Sequence, residues 1–162
     1  MRLRHYQVDD LDDAHSMLGD EQTMQYYPSP FTREMSSWWI EDNMRRYEED
    51  GFGLWVVEAR ATGEFLGNCG PALRSIEGVS MVELGWHIKR SHLRRGLATE
   101  AAGACRDYAF ATLDIPRIVS LIRPVNIPSR GLAEKIGMTI DREIDYKNYH
   151  HYLYAVERVS DE

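Results

Sequence analysis

The sequence predicts one α/β domain: an α+β mixed sheet, mostly antiparallel, with one parallel crossover pair and flanking helices. Three observations carry this. The 162 residues hold one hydrophobic core and leave no room for a second. From Gly53 to Lys89 the chain reads as three strands joined by short links, which pair antiparallel. From Gly96 to Ile122 it reads as a helix and then a β-branched strand. Strand, helix and strand in succession make a right-handed crossover with parallel pairing. The domain is expected to take in residues 1–162, because no repeat, linker or low-complexity segment divides them.

In chain order, Arg2 to Gln7 reads as a short first strand. Asp9 to Leu18 reads as a helix, with Val8, Leu11, Ala14 and Leu18 spaced for one face and Asp9 or Asp10 at its start. Tyr26-Tyr27-Pro28-Ser29-Pro30 is a loop, since its two prolines remove amide donors and fix the backbone. Thr32 caps a second, long helix that frays near Asp50-Gly51; Met35 stands at its third position, so no reciprocal capping box forms. The meander follows: Gly53 to Glu58, a turn at Ala61 to Glu64, Phe65 to Leu73, a turn at Ser75 to Val79, and Ser80 to Lys89. Gly96 begins a helix that runs to about Leu113. Its small residues suit close packing on a sheet. Ile118 to Ile122 is the next strand and Pro128 to Ile136 a short helix closed by Gly137. Thr139 to Val159 forms a hairpin around Tyr146-Lys147-Asn148.

Composition narrows the function. The net charge of −7 argues against a dedicated nucleic-acid binder. The two cysteines, Cys69 and Cys105, form no CxxC pair, which excludes a zinc ribbon and fits a reducing cytoplasm. No apolar run reaches the roughly 18 residues of a membrane span, and Met1 to His5 lacks the apolar core of a signal peptide. No metal is expected: His150-His151 point to opposite faces of a strand and have no third ligand spaced for them. The charge is uneven. Residues 1–50 hold 12 acids and 5 bases, whereas residues 51–162 hold 14 of each. These acids are readable as solvated helix faces, or as an acidic wall that attracts a cation.

Against that background stands Lys89, Arg90, His92, Arg94 and Arg95. A strand ending Leu84 to Ile88 passes through this basic turn into Gly96-Leu97-Ala98-Thr99-Glu100. The first amides of a helix lack internal partners and, with the helix dipole, form an anion site. Gly96 and Ala98 permit close approach. This is a phosphate or pyrophosphate cradle, or else a basic turn before an ordinary helix start. It carries neither the Walker lysine nor GxGxxG.

Leu93-Arg94-Arg95-Gly96-Leu97-Ala98 resembles the acetyl-CoA loop of the GNAT N-acetyltransferase superfamily, written Q/R-x-x-G-x-G/A. Asn126-Ile127-Pro128-Ser129 followed by Glu134-Lys135-Ile136-Gly137-Met138 is similar to its N-x-x-S…E-K-x-G-F segment. The Gly-Trp before the loop and the Ala-Thr-Glu-Ala after it resemble the ribosomal-protein N-acetyltransferase branch. The element order fits from Arg2 to Val159. The sequence departs from the pattern at Leu93, in place of Gln or Arg, and at Ala133, where many members carry an acid tyrosine.

The resemblance implies a sheet that splays between the strand ending near Ile88 and the strand ending near Pro124, with acetyl-CoA as cosubstrate in the gap. The backbone of Trp86, His87 and Ile88 would hold the pantetheine arm, with Asn126 reaching it from the facing side. The amides of Arg94, Arg95, Gly96, Leu97, Ala98 and Thr99 would hold the pyrophosphate. The implied reaction is direct attack of a primary amine on the thioester. It needs a proton acceptor, oxyanion donors and an acid for the thiolate. Strand alternation puts Met81, Glu83, Gly85 and His87 on one face, and Val82, Leu84, Trp86 and Ile88 on the other, unless a bulge intervenes. Glu83 is the first candidate base, through water, with His87 the second. Glu83 is as readable as the partner of an arginine. Ser129 is the candidate acid, or the cap of the helix after Pro128; Tyr146 and Tyr149 are fallbacks. Tyr26, Tyr27, Trp38 and Trp39 read as core or cleft wall.

The expected function is transfer of an acetyl group from acetyl-CoA to a protein N-terminus or a small cationic amine, the cation following from the acidic first third. The alternative is a catalytically degenerate CoA-binding sensing or interaction module. No nucleic-acid or membrane partner is expected, and the resemblance leaves room for a homodimer.

Overall fold

The computed structural model describes residues 1–159. Seven strands form one sheet in the order β1-β2-β3-β4-β5-β7-β6. The strands are β1 (Arg2–Arg4), β2 (Trp55–Glu58), β3 (Phe65–Ile76), β4 (Val79–Ile88), β5 (Arg117–Ile122), β6 (Thr139–Tyr146) and β7 (Tyr149–Glu157). The helices are α1 (Leu11–Leu18), α2 (Arg33–Glu49), α3 (Leu97–Thr112) and α4 (Ile127–Lys135). Every neighbouring pair is antiparallel except β4 and β5, which are parallel as the crossover reading requires.

Some boundaries move for local reasons. The first strand stops at Arg4 rather than Gln7, because the Asp10 carboxylate accepts the Gln7 amide at 2.8 Å and forks the Arg4 guanidinium. A 3-10 turn at Val8–Asp10 therefore precedes α1. The β3–β4 turn is tighter than expected. Only Glu77 and Gly78 leave the ladder, both at positive φ, and such two-residue turns match the twist of a hairpin. Ser75, Ile76 and Val79 join the strands, with Ile76 fully buried. Lys147 and Asn148 make the same kind of turn between β6 and β7. Thr32 caps α2 by accepting the Met35 amide.

The sheet has two differently covered faces. On one, Ala101, Ala102, Cys105 and Ala109 of α3 pack on Val57, Cys69, Val82 and Leu84, joined by Leu132, Ala133 and Ile136 from α4 and the loop after it. Small side chains let α3 lie close to the strands. On the other face, α1 and α2 bury Tyr6, Met17, Leu18, Ile40, Val56 and Phe65. The β5-β7-β6 part of that face carries its own cluster of Ile76, Val119, Ile144, Leu153 and Ala155. Glu83 and His87 of β4 lie on this second face.

Candidate active site

β3 and β4 pair from Ile76↔Val79 to Gly67↔Ile88 with no register shift, so no bulge reverses the alternation along β4. Val82 and Leu84 belong to the α3 cluster and Trp86 packs against it. Glu83 and His87 point to the opposite face, where their partners are Arg74, Asn68 and Tyr27. Close approach sets one residue here: a Cβ on Gly67 would meet the His87 carbonyl oxygen at 2.1 Å.

β4 and β5 pair only at Glu83↔Val119. The last tie between them is the Ser120 hydroxyl, which donates to the Leu84 carbonyl at 2.7 Å. Beyond it β4 continues to Ile88 and β5 to Ile122 without pairing. One edge of β4 is thus satisfied by β3, and the other offers backbone groups to an extended ligand. A cleft of about 810 Å³ lies here. Trp86, His87, Ile88, Arg94, Gly96, Leu97, Ala98, Thr99, Asn126 and Ser129 all line it. Of the expected cofactor residues only Arg95 lies outside the lining, as does Glu83.

The loop into α3 gathers amides and positive charge. Arg94 and Gly96 both take left-handed φ, 61° and 74°. Left-handed residues in a turn gather successive amides into a concavity. The first bond of the helix runs from the Glu100 amide to the Gly96 carbonyl at 3.0 Å, so the amides of Leu97, Ala98 and Thr99 precede the ladder. Arg94 and Arg95 have no ion-pair partner among the described residues. The other basic residues of the run are engaged: Lys89 with Asp13, Arg90 with Asp20 and His92 with Glu64.

At the middle of the cleft, the Trp86 indole donates to the Ser129 hydroxyl at 3.2 Å, joining β4 to α4 across the opening. Ser129 does not cap α4. Asn126 does, its side-chain oxygen accepting the Ser129 amide at 3.2 Å. Ser129 therefore holds an acceptor bond and keeps its own O–H to donate. On the opposite face, Glu83 accepts from Arg74 at 2.7 Å, the arginine pairing that its sequence position equally allowed. His87 sits between Asn68 (2.8 Å to Nδ1) and Tyr27 (2.7 Å to Nε2), edge-on to Trp39. The Asn68 amide nitrogen donates to the Tyr6 hydroxyl, so its oxygen faces His87 and Nδ1 carries the imidazole proton. Nε2 then accepts from the Tyr27 hydroxyl. Burial, with Arg74's charge adding to it, lowers His87 to about 4. It also pushes the Tyr27 phenol well above its ordinary range.

Two expectations are corrected. The acidic first third does not wall the cleft. Its lining residues are Gln22, Thr23, Gln25, Tyr26 and Tyr27, and none is a carboxylate. Many of its acids instead face bases: Asp10 pairs with Arg4, Asp12 with Arg33, Asp42 with Arg45 and Arg46, and Glu49 with Arg45. Trp38 is neither core nor cleft wall, being 61% exposed, whereas Trp39 packs against Phe31. Sequence reading placed Tyr27 only as a wall residue and passed over Asn68 and Arg74. The one available signal was an asparagine within the apolar run Phe65 to Leu73.

The family model described as "Acetyltransferase (GNAT) domain" matches residues 1–139. The chain is 36% identical over 146 residues to the uncharacterized protein YkkB of Bacillus subtilis (strain 168), covering 88% of this chain and 85% of that one. Its structure is similar to that of a GNAT-family acetyltransferase from Bacillus anthracis, with TM-score 0.80, 26% identity, and 96% and 93% of the two chains covered. It also shares its fold with the ribosomal-protein α-N-acetyltransferase RimL solved in complex with coenzyme A, at TM-score 0.76 and 17% identity, covering 96% and 92%.

Proposed function

The chain belongs to the GNAT acetyltransferase family, whose members are acetyl-CoA-dependent acyltransferases, and on that premise we propose that it transfers the acetyl group to a primary amine by direct attack on the thioester. The observation that carries this is the two-sided opening beside β4. One face offers an amide cradle and a serine hydroxyl, and the other a tyrosine–histidine pair, with the Glu83 carboxylate on that same face of β4 but outside the lining.

The amides of Leu97, Ala98 and Thr99 and the charge of Arg94 suit the cofactor's diphosphate. The free edge of β4 from Trp86 to Ile88 suits its extended arm. The amine nitrogen bonds to the thioester carbonyl carbon as the carbon–sulfur bond breaks. Its proton leaves toward Glu83 through water, and Ser129 donates to the departing thiolate. Tyr27 also faces the opening, and its hydroxyl hydrogen is already given to His87, so its oxygen is left to accept from the incoming amine. A histidine near pKa 4 is about 2.5 units weaker as a base than an ordinary imidazole. That magnitude makes His87 a positioning residue for Tyr27 rather than the final proton acceptor. No helix among the described residues is long and apolar enough to cross a membrane. We place the enzyme in a reducing cytoplasm, which the buried free thiols of Cys69 and Cys105 favour.

The test is acetyl-CoA turnover over a broad amine panel, read as CoA thiol release and product mass, beside calorimetric binding of acetyl-CoA. Amine-dependent release with an acetylated product is expected. Binding without turnover on any amine would refute transfer and leave a CoA-binding module.

A further inference from the structure

Arg123 follows β5 at the lip of the opening. Ile118 and Ile122 pack in the α3 cluster, while Val119 and Leu121 pack on the opposite face. The next step of the alternation puts Arg123 on that second face, with Glu83 and His87. It does not line the cofactor cleft.

Its guanidinium lies over the Tyr149 ring, 4.7 Å from the centroid. One terminal nitrogen makes a long contact, 3.4 Å, to the Tyr26 carbonyl. Its Nε is buried with no acceptor among the described residues. No carboxylate there lies within ion-pair distance of it. Eleven other arginines hold carboxylates: Arg2, Arg4, Arg33, Arg45, Arg46, Arg74, Arg90, Arg106, Arg117, Arg142 and Arg158. Of those that hold none among the described residues, Arg60, Arg94 and Arg95 are exposed and Arg130 donates to the Tyr154 hydroxyl, whereas Arg123 is half-buried on the face of Glu83 and His87. Two carboxylates beside Arg74 are already committed, Glu83 to Arg74 itself and Asp42 to Arg45 and Arg46. A guanidinium keeps its charge at any working pH and presents a planar fork that fits a carboxylate. A half-buried guanidinium without a counterion gains from a ligand that supplies one.

Tyr26 ties Arg123 to the reacting region, since its neighbour Tyr27 meets His87. We propose that Arg123 is a carboxylate-reading subsite for the acceptor, and that the preferred acceptor is an amine bearing a carboxylate rather than a polycation. The inference rests on the transfer reading above and adds the acceptor's charge to it. Tyr149 supports the guanidinium from one side.

The experiment compares free amino acids with their amides, and short peptides beginning with Asp with those beginning with Asn, as acceptors for wild type and Arg123→Gln. The wild type is expected to favour the carboxylate member by about 10–100-fold in kcat/KM, the worth of one charge-assisted hydrogen bond. The ratio should collapse toward one in Arg123→Gln. Arg123→Lys keeps the charge but not the fork and should fall between. The arm that shows the preference tells whether the carboxylate belongs to a small amine or to a peptide side chain. A second readout needs no turnover: calorimetric binding of N-acetylglycine against N-acetylglycinamide to the CoA-loaded protein. Equal use of both members, or a ratio that survives Arg123→Gln, overturns the inference. Absence of transfer to every amine removes the transfer reading instead, and the binding comparison then decides the inference alone.

Discussion

Ser129→Ala separates chemistry from architecture by magnitude. The Ser129 hydroxyl accepts one neutral hydrogen bond, from the Trp86 indole at 3.2 Å, while the helix cap beside it is supplied by Asn126. If that bond were its whole role, the substitution would leave a partly buried indole N–H unpaired and destabilise the fold by about 1 kcal/mol. An equally modest change in kcat, below roughly 10-fold, would accompany it. If Ser129 protonates the departing thiolate, the loss is that of a general acid, about 10²–10⁴-fold in kcat, or roughly 3–5 kcal/mol of barrier. The two ranges do not overlap. The assay is single-turnover acetyl transfer at saturating acetyl-CoA, with thermal unfolding run in parallel. Trp86→Phe is the companion variant: it removes the indole N–H but leaves Ser129 in place. It should lower kcat several-fold at most. A loss below 10-fold in Ser129→Ala, or equal losses in both variants, would refute acid catalysis by Ser129.

Glu83→Gln strips the counterion from Arg74 and should destabilise the fold by about 1–3 kcal/mol. As the base it should also lose about 10²-fold or more in kcat. Arg74→Met breaks the same pair without removing the carboxylate, so equal kcat losses in the two variants would reduce Glu83 to an ion-pair partner. His87 is held near 4, below its unfolded value of about 6.5, so the neutral form is the folded one. Its share of stability is full above pH 6.5 and drains as pH falls toward 4, up to about 3 kcal/mol. Denaturant titrations of wild type and His87→Gln across that window should converge as pH drops, and parallel curves would count against it. Gly96→Glu should abolish calorimetric binding of CoA, because it sets an anion in the cradle. Its φ of 74° is unfavourable to any Cβ although the space around it is open. Gly96→Ala is therefore the control: it should lose about 1 kcal/mol of stability and still bind.

The fold was legible because its signals are local and redundant. Turn residues, a small-residue helix and the strand–helix–strand order each point to the same sheet, and the errors fell where side chains compete for the backbone. Asp10 ended the first strand by taking the Gln7 amide, and burial of Ile76 lengthened the β3–β4 hairpin. The cofactor side was legible for a related reason. A strand, a basic turn and a helix start are contiguous in sequence, so residues 86–99 carry most of their own geometry. The anion cradle needs only backbone amides and two left-handed residues, and Gly96 advertises one of them.

The opposite face of β4 is assembled from segments far apart in sequence, and there composition misled. Counting acids in the first third gave their excess but not their place: Asp10, Asp12, Asp42 and Glu49 pair with arginines of the same third, and no carboxylate of that third lines the cleft. What a ligand meets at this opening is the residue of that pairing. Arg123, just after β5, keeps a charge that no described carboxylate neutralises. Tyr27, from the α1–α2 loop, owes its hydroxyl orientation to His87, which Asn68 and Tyr6 hold in one tautomer. None of these partners is near another in sequence, and no periodicity links them. The charge that a ligand meets here is therefore a matter of which bases the fold leaves unpaired at this face, a quantity that only the three-dimensional pairing of charges supplies.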